Sequence, residues 1–171
     1  MGKVTTILSI LLLIGLVISV CLIVGYADDK PNSFLLYSSK YYSIRYPSNW
    51  RIEEDSGYVR FIPQNTDSKL SGFKVFSFKV SFTTEKYTET LIKSSKFYNH
   101  TIITSEAATL DNCPAHRLIY TGKVEDKLYK WLRIYTVKEN VLYDIGFTFE
   151  ESKFDNYTTI INEMIKSFKI K

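Results

Sequence analysis

Apolar and polar residues alternate with a period of two through much of this chain. Tyr42, Ile44 and Tyr46 alternate with Tyr41, Ser43 and Arg45. Phe76, Phe78, Val80 and Phe82 alternate with Ser77, Lys79 and Ser81. Val141, Tyr143, Ile145, Phe147 and Phe149 alternate with Asp144, Gly146 and Thr148. Alternation of this kind sets one row of side chains on one face of a sheet, and aromatic and β-branched residues suit that pleated, half-buried surface. Strands are therefore predicted over 34–38, 41–46, 58–62, 73–83, 102–110, 114–122, 128–138 and 141–149.

Turn chemistry separates these runs. Tyr46-Pro47-Ser48-Asn49 ends a strand, because proline cannot donate to the ladder. Glu54-Asp55-Ser56-Gly57, Asp111-Asn112-Cys113-Pro114, Gly122 to Lys127 and Lys138-Glu139-Asn140 punctuate the others, and short connections join antiparallel neighbours. Two segments have helical spacing instead. Tyr87, Leu91 and Tyr98 follow Thr84, the expected N-cap. Phe154, Tyr157, Ile161, Met164, Ile165 and Phe168 form an apolar stripe after Ser152, with Asp155 three residues on. The fold expected is α+β: an antiparallel sheet with one helix inserted mid-chain and a second closing the C-terminus.

One stretch breaks the pattern. Val4 to Tyr26 carries no charge over its whole length, long enough for a helix to cross a hydrocarbon core of about 30 Å. Lys3 precedes it and Asp28 and Asp29 follow, which places the N-terminus in the cytoplasm and the rest outside. Residues 1–27 are thus read as a transmembrane anchor, 28–33 as a linker and 34–171 as the domain. The alternative is a signal peptide cut after Ala27, which would release the domain; the apolar run is long for that. Lipidation at Cys21 is disfavoured by Val20 before it and the apolar residues after it. Myristoylation at Gly2 would be redundant beside the span.

Composition narrows the function classes. The chain has 171 residues and a net charge of +4. Its charges are interspersed, and no basic run resembles a nucleic-acid arm. A catalytic Cys113–His116 pair is disfavoured, since residues three apart on a strand point to opposite faces. His100 and His116 are the only histidines, too few for a zinc site without distant partners. Glu53-Glu54-Asp55 and Glu150-Glu151 lack the alternating spacing of a calcium loop; the first reads as a solvated turn, the second as charge near a helix N-terminus. Neither a G-x-S-x-G elbow nor a phosphate-cradling glycine loop is present. Asn99 and Asn156 begin N-x-T sequons, candidate glycosylation positions if the host modifies exported proteins. Tyr37, Tyr41, Tyr58, Tyr129 and Trp131 are the candidate aromatics for contact with a partner or ligand.

Tyr42-Ser43-Ile44-Arg45-Tyr46-Pro47 followed by Asn49-Trp50 resembles the Y-x-I-x-Y-P-x-x-W opening of PsbP-like domains, named for an extrinsic subunit of photosystem II. Pro114 to Tyr120, Lys130 to Thr136, Leu142 to Phe149 and the closing Ile165-Lys166-Ser167-Phe168 are similar to that family's later segments in the same order. The resemblance covers about residues 34–170. It implies an antiparallel sheet flanked by helices, a non-catalytic adaptor or assembly role, and, in the photosynthetic members, an association with calcium. Short spacing between anchor and domain sets this chain apart from those members.

The expectation is a single-pass, membrane-anchored, extracytoplasmic module with no enzymatic activity and no cofactor, calcium entering by resemblance alone. Its partner would be a membrane-associated protein, with no nucleic acid. The alternative is a surface protein that binds a small ligand, glycan or ion through an aromatic face.

Overall fold

The computed structural model describes residues 33–171 except Asn65 and Asp67. The predicted anchor, its cleavage alternative, Cys21 and nearly all of the linker lie outside these residues. Among the described residues no helix is long and apolar enough to cross a membrane.

In chain order the elements are β1 (Phe34–Ser38), β2 (Tyr42–Pro47), β3 (Arg51–Asp55), β4 (Tyr58–Ile62), β5 (Gly72–Lys79), α1 (Thr84–Phe97), β6 (Thr101–Leu110), β7 (Cys113–Val124), β8 (Lys127–Lys138) and β9 (Val141–Glu150). A short helix α2 (Glu151–Phe154), a 3-10 turn (Asp155–Tyr157), α3 (Thr158–Ser167) and β10 (Lys169–Ile170) complete the chain. The strands form two sheets, ordered β1-β2-β10 and β3-β4-β5-β9-β8-β7-β6. Every pairing is antiparallel. The domain is α+β, as its periodicity predicts, but with a second, smaller sheet.

β9 organises the packing. Eight of its ten residues are buried, so this central strand is covered on both sides over most of its length. Tyr143, Ile145, Phe147 and Phe149 point to one side and join Tyr42, Ile44, Phe61, Phe73, Ile161, Met164 and Phe168 in the larger core. That core lies where the small sheet, α2 and α3 meet the large sheet. Leu142 points to the other side and joins Leu118, Tyr120 and Tyr135 in a second cluster, against which Tyr87 and Leu91 of α1 pack. The C-terminus is fastened by Asp111, whose carboxylate accepts from Lys169 Nζ at 2.7 Å and the Ile170 amide at 2.9 Å. These bonds hold the Asp111 carboxyl below its usual range.

Several boundaries differ from the sequence reading. Glu53, Glu54 and Asp55 belong to strand β3, whose partner is β4; a polar edge strand carries no alternation to read, and the turn narrows to Ser56-Gly57. β5 ends at Lys79, and its fully buried residues are Phe73 and Val75 rather than Phe76 and Phe78. Apolar residues stand on both faces of β5, so periodicity alone does not choose the core side. Thr83, not Thr84, caps α1, its Oγ1 accepting from the Lys86 amide at 3.3 Å. Thr84 Oγ1 instead accepts from the Val137 amide at 2.9 Å and ties α1 to β8. Ser152 lies inside α2, which has no side-chain cap, and the predicted closing helix is broken at Asp155–Tyr157. The apolar stripe survives that break: Phe154, Ile161, Met164 and Phe168 are all buried.

Phe147 is fully buried and contacts the rings of Phe149, Phe154 and Tyr157 at 5.8, 5.1 and 5.7 Å. Phe147→Ala is expected to cost about 3–5 kcal/mol of unfolding free energy. Phe78→Ala, on the exposed end of β5, is expected to cost under about 1 kcal/mol. Urea unfolding of the two variants checks both values.

Candidate functional site

The face of the large sheet that carries α1 is built by alternate residues whose strand registers align. One row crosses the sheet as Leu118, Arg133, Gly146, Lys74, Arg60 and Glu53. A neighbouring row contains His116, Tyr135, Asp144, Phe76 and Tyr58. α1 covers the β6–β8 side of this face, while the segment after β4 returns over another part of it.

Asp144 has zero exposure in the middle of β9. A carboxylate removed from water must be paired. Arg133 supplies the partner from the adjacent strand, with Nε donating to Asp144 Oδ1 at 3.2 Å and Nη2 donating to Oδ2. Tyr87 of α1 completes a triangle: its hydroxyl donates to Asp144 Oδ2 at 2.7 Å and accepts from Arg133 Nη2 at 2.9 Å. Burial and the Asp144 charge push the Tyr87 hydroxyl well above its usual pKa. Burial opposes the charge on Arg133, but Asp144 outweighs it and keeps the guanidinium ionised. The triangle is an anchor for α1 rather than an acid–base device, because Arg133 stays charged and Tyr87 stays protonated near neutrality.

Beside it runs an aromatic stack. The His100 ring lies parallel to Trp131 at 5.0 Å and to Tyr120 at 5.4 Å. Tyr120 and Trp131 are themselves stacked at 5.2 Å. Gly122 makes room for this arrangement: a Cβ there would fall 2.2 Å from His100 Cδ2. Burial lowers the His100 pKa, favouring the neutral ring.

The returning segment is fixed by Arg60, a buried residue whose guanidinium donates to the carbonyls of Ser68 and Ser71 and to Glu53 Oε2. Gly72 permits the close approach there: its φ is +129°, and a Cβ would lie 2.8 Å from the Phe61 carbonyl. Ser68 Oγ lies 3.3 Å from Tyr129 Oη. Between this segment and α1 part of the sheet face stays open. Its surface carries Tyr58, Lys74, Phe76, Gly146 and Phe78, the last 43% exposed.

The five aromatics singled out in the sequence do not form one patch. Tyr37 and Tyr41 pack against the larger core. Tyr129 is buried and Trp131 stands in the stack. Tyr58 alone borders the open surface, its ring 5.3 Å from that of Phe76. Asn99 and Asn156 are both exposed, Asn99 at a positive φ of 54° just after α1. Cys113 and His116 both line an open groove of about 880 Å³ between the start of α1 and the β7–β9 turns. His116 Nε2 shares its hydrogen bond with Ser105 Oγ at 2.9 Å, not with the thiol. Glu53 pairs with Arg60, and Glu150 with Lys127 at 2.7 Å and Lys153 at 3.8 Å. Among the described residues no group of three His, Cys, Asp or Glu is arranged to hold a metal ion.

Sequence reasoning passed over Asp144, Arg133, Tyr87 and Lys74. The signal for the first was a lone carboxylate inside the apolar run Leu142-Tyr143-Asp144-Ile145. Its partners come from other elements and leave no local trace.

Comparison with known proteins bears on the whole arrangement. The family described as PsbP-like protein matches residues 24–170. The solution structure of cyanobacterial PsbP (CyanoP) from Synechocystis superposes with a TM-score of 0.62 at 17% identity, covering 86% of this chain and 98% of that one. LpqN of Mycobacterium tuberculosis, described as involved in cell envelope biogenesis, has a TM-score of 0.60 at 11% identity, covering 81% and 90%. A crystal structure from Bacteroides thetaiotaomicron has a TM-score of 0.57 at 16% identity; it covers 81% of this chain and 48% of that one. At these identities the structural likenesses establish the fold alone. No curated protein matches the chain.

Asp144→Ala leaves Arg133 without its counter-charge and is expected to cost about 3–5 kcal/mol. Asp144→Leu combined with Arg133→Met removes both charges and is expected to recover most of that loss. Urea unfolding of the single and double variants measures it; a single variant within about 1 kcal/mol of the parent would contradict the anchoring role.

Proposed function

The chain belongs to the PsbP-like protein family, and on that premise we propose that it is a membrane-anchored, extracytoplasmic module that binds or helps assemble a membrane-associated protein partner, without catalytic activity of its own. The observation that carries this reading is the open part of the α1 face. An antiparallel sheet can present one face to water, but such a face is ordinarily polar. Here it carries Tyr58, Phe76 and the exposed Phe78. Rigid rings at low entropic cost suit a recognition surface. The uncharged run Val4 to Tyr26 supports a location at the membrane, and the short stretch 28–33 would keep the domain close to it. A likeness in fold to LpqN, itself described as involved in cell envelope biogenesis, is compatible with an envelope setting.

A second reading, a small ligand bound at the same face, is favoured by one observation, the ammonium of Lys74 beside these rings, which is unpaired among the described residues.

A photo-crosslinking residue at position 78 of the full-length protein, activated in its own membranes, tests the protein-partner reading. The expected product is one defined membrane-associated protein, captured equally when residues 1–27 are exchanged for an unrelated span. A residue at position 97, on the outer end of α1, is expected not to capture it. Absence of a specific product, or its loss on exchange of the span, would overturn the reading.

A further inference from the structure

Lys74 is half-buried at the centre of the open surface, and its ammonium makes no hydrogen bond or ion pair among the described residues. It lies over the Tyr58 ring, 5.8 Å from the ring centroid. A shielded ammonium without an acceptor is costly, and side chains so placed are usually paired. Both lateral neighbours in its row bear on this. Arg60 on one side is a second cation, committed to Glu53 and to the carbonyls of Ser68 and Ser71. On the other side is Gly146, and beyond it Arg133.

Gly146 decides the shape. It sits on the most deeply packed strand, yet its backbone is partly exposed. A Cβ built on it would meet nothing closer than Arg133 Cγ and the Leu132 carbonyl, both at 3.8 Å. Packing therefore does not demand glycine there. The missing side chain leaves a strip between Lys74 and Arg133, whose Cα atoms stand roughly 10 Å apart, two strand spacings. Arg133 is held by Asp144 and Tyr87 but keeps its side chain 20% exposed. Among the described residues of this row and its neighbour, three cations face two carboxylates, Glu53 and Asp144, and both carboxylates are already paired. Burial and the Arg60 charge lower the Lys74 pKa, which an arriving anion would reverse. Rings flank the strip: Tyr58 and Phe76 are 5.3 Å apart, with Phe78 further along β5.

We propose that this strip is a binding site for a small organic anion, its carboxylate or phosphate seated over Gly146 between Lys74 and Arg133 and its apolar or aromatic body lying along Tyr58, Phe76 and Phe78. The proposal rests on the reading of this face as a binding face and gives it a ligand class.

The test is calorimetric titration of the full-length protein in detergent with phenyl phosphate, with inorganic phosphate and benzoate as separate arms. Phenyl phosphate is expected to bind with one-to-one stoichiometry. Lys74→Gln is expected to weaken it about tenfold or more, the worth of a charge-assisted bond. Lys79→Gln, an exposed lysine of the same strand, is expected to leave it unchanged. Gly146→Val fills the strip and is expected to abolish binding while preserving the melting temperature to within a few degrees; if that variant does not fold, the Lys74→Gln comparison decides. No binding of phenyl phosphate or benzoate, or equal binding by Lys74→Gln, would overturn the proposal. Inorganic phosphate binding as tightly as phenyl phosphate would overturn the part assigned to the rings. Failure here with capture at position 78 intact would refute the anion site and leave the partner reading standing; binding here without capture would do the reverse.

Discussion

A carboxylate with no exposure, in a strand covered on both sides over most of its length, is the constraint around which the domain is arranged. Asp144 cannot be solvated, so Arg133 must reach it from β8 and Tyr87 must reach it from α1. Removing one partner strands a charge in low dielectric, which is why such pairs tolerate loss poorly even when their net contribution is small. The consequence is positional. Tyr87 is tied to the centre of the sheet, Thr84 to β8 at Val137, and Leu91 packs on the second cluster. α1 therefore docks over β6–β8 and cannot slide toward β5.

That fixed docking creates the open surface. The larger core needs the opposite face of every central strand, and it takes Phe73, Val75, Ile145 and Phe147. The helix side then receives what the core does not use: Phe76, Phe78, Lys74 and the bare backbone of Gly146. Arg60 holds the returning segment in place, so its two carbonyl contacts also set one border of the opening. The larger core thus occupies one face of the sheet, and the open surface shares the other face with the second cluster and the Asp144 triangle.

Much of the fold was legible in residue order. The alternation in 41–46 and 141–149, and the turns at Asp111-Asn112 and Glu139-Asn140, mark real strands and real hairpins; those four turn residues adopt positive φ. The closing stripe from Phe154 to Phe168 was readable through an interruption that was not. Other features escaped for physical reasons. β3 is a polar edge strand with a single core-facing residue, the half-buried Ile52. β10 is two residues long and exists because Asp111 and β2 receive it. β5 carries rings on both sides, so its core face is chosen by the partner strands. The surface itself was hardest to see. Tyr37, Tyr41, Tyr129 and Trp131 are chemically suited to recognition, but tertiary packing takes them up, and only Tyr58 borders the opening. Lys74 and Gly146 carry no motif; their meaning comes from standing opposite each other across β5 and β9.

The claim that the open half of the α1 face is the working surface is tested most directly by covalent footprinting of the full-length protein in its native membranes and after purification. The account predicts that Tyr58, Lys74 and Phe78 are labelled several-fold less in the membranes than in the purified protein, while Phe97 and Tyr98 are labelled equally in both. Equal labelling of Tyr58, Lys74 and Phe78 in the two states, or protection confined to Phe97 and Tyr98, would contradict it.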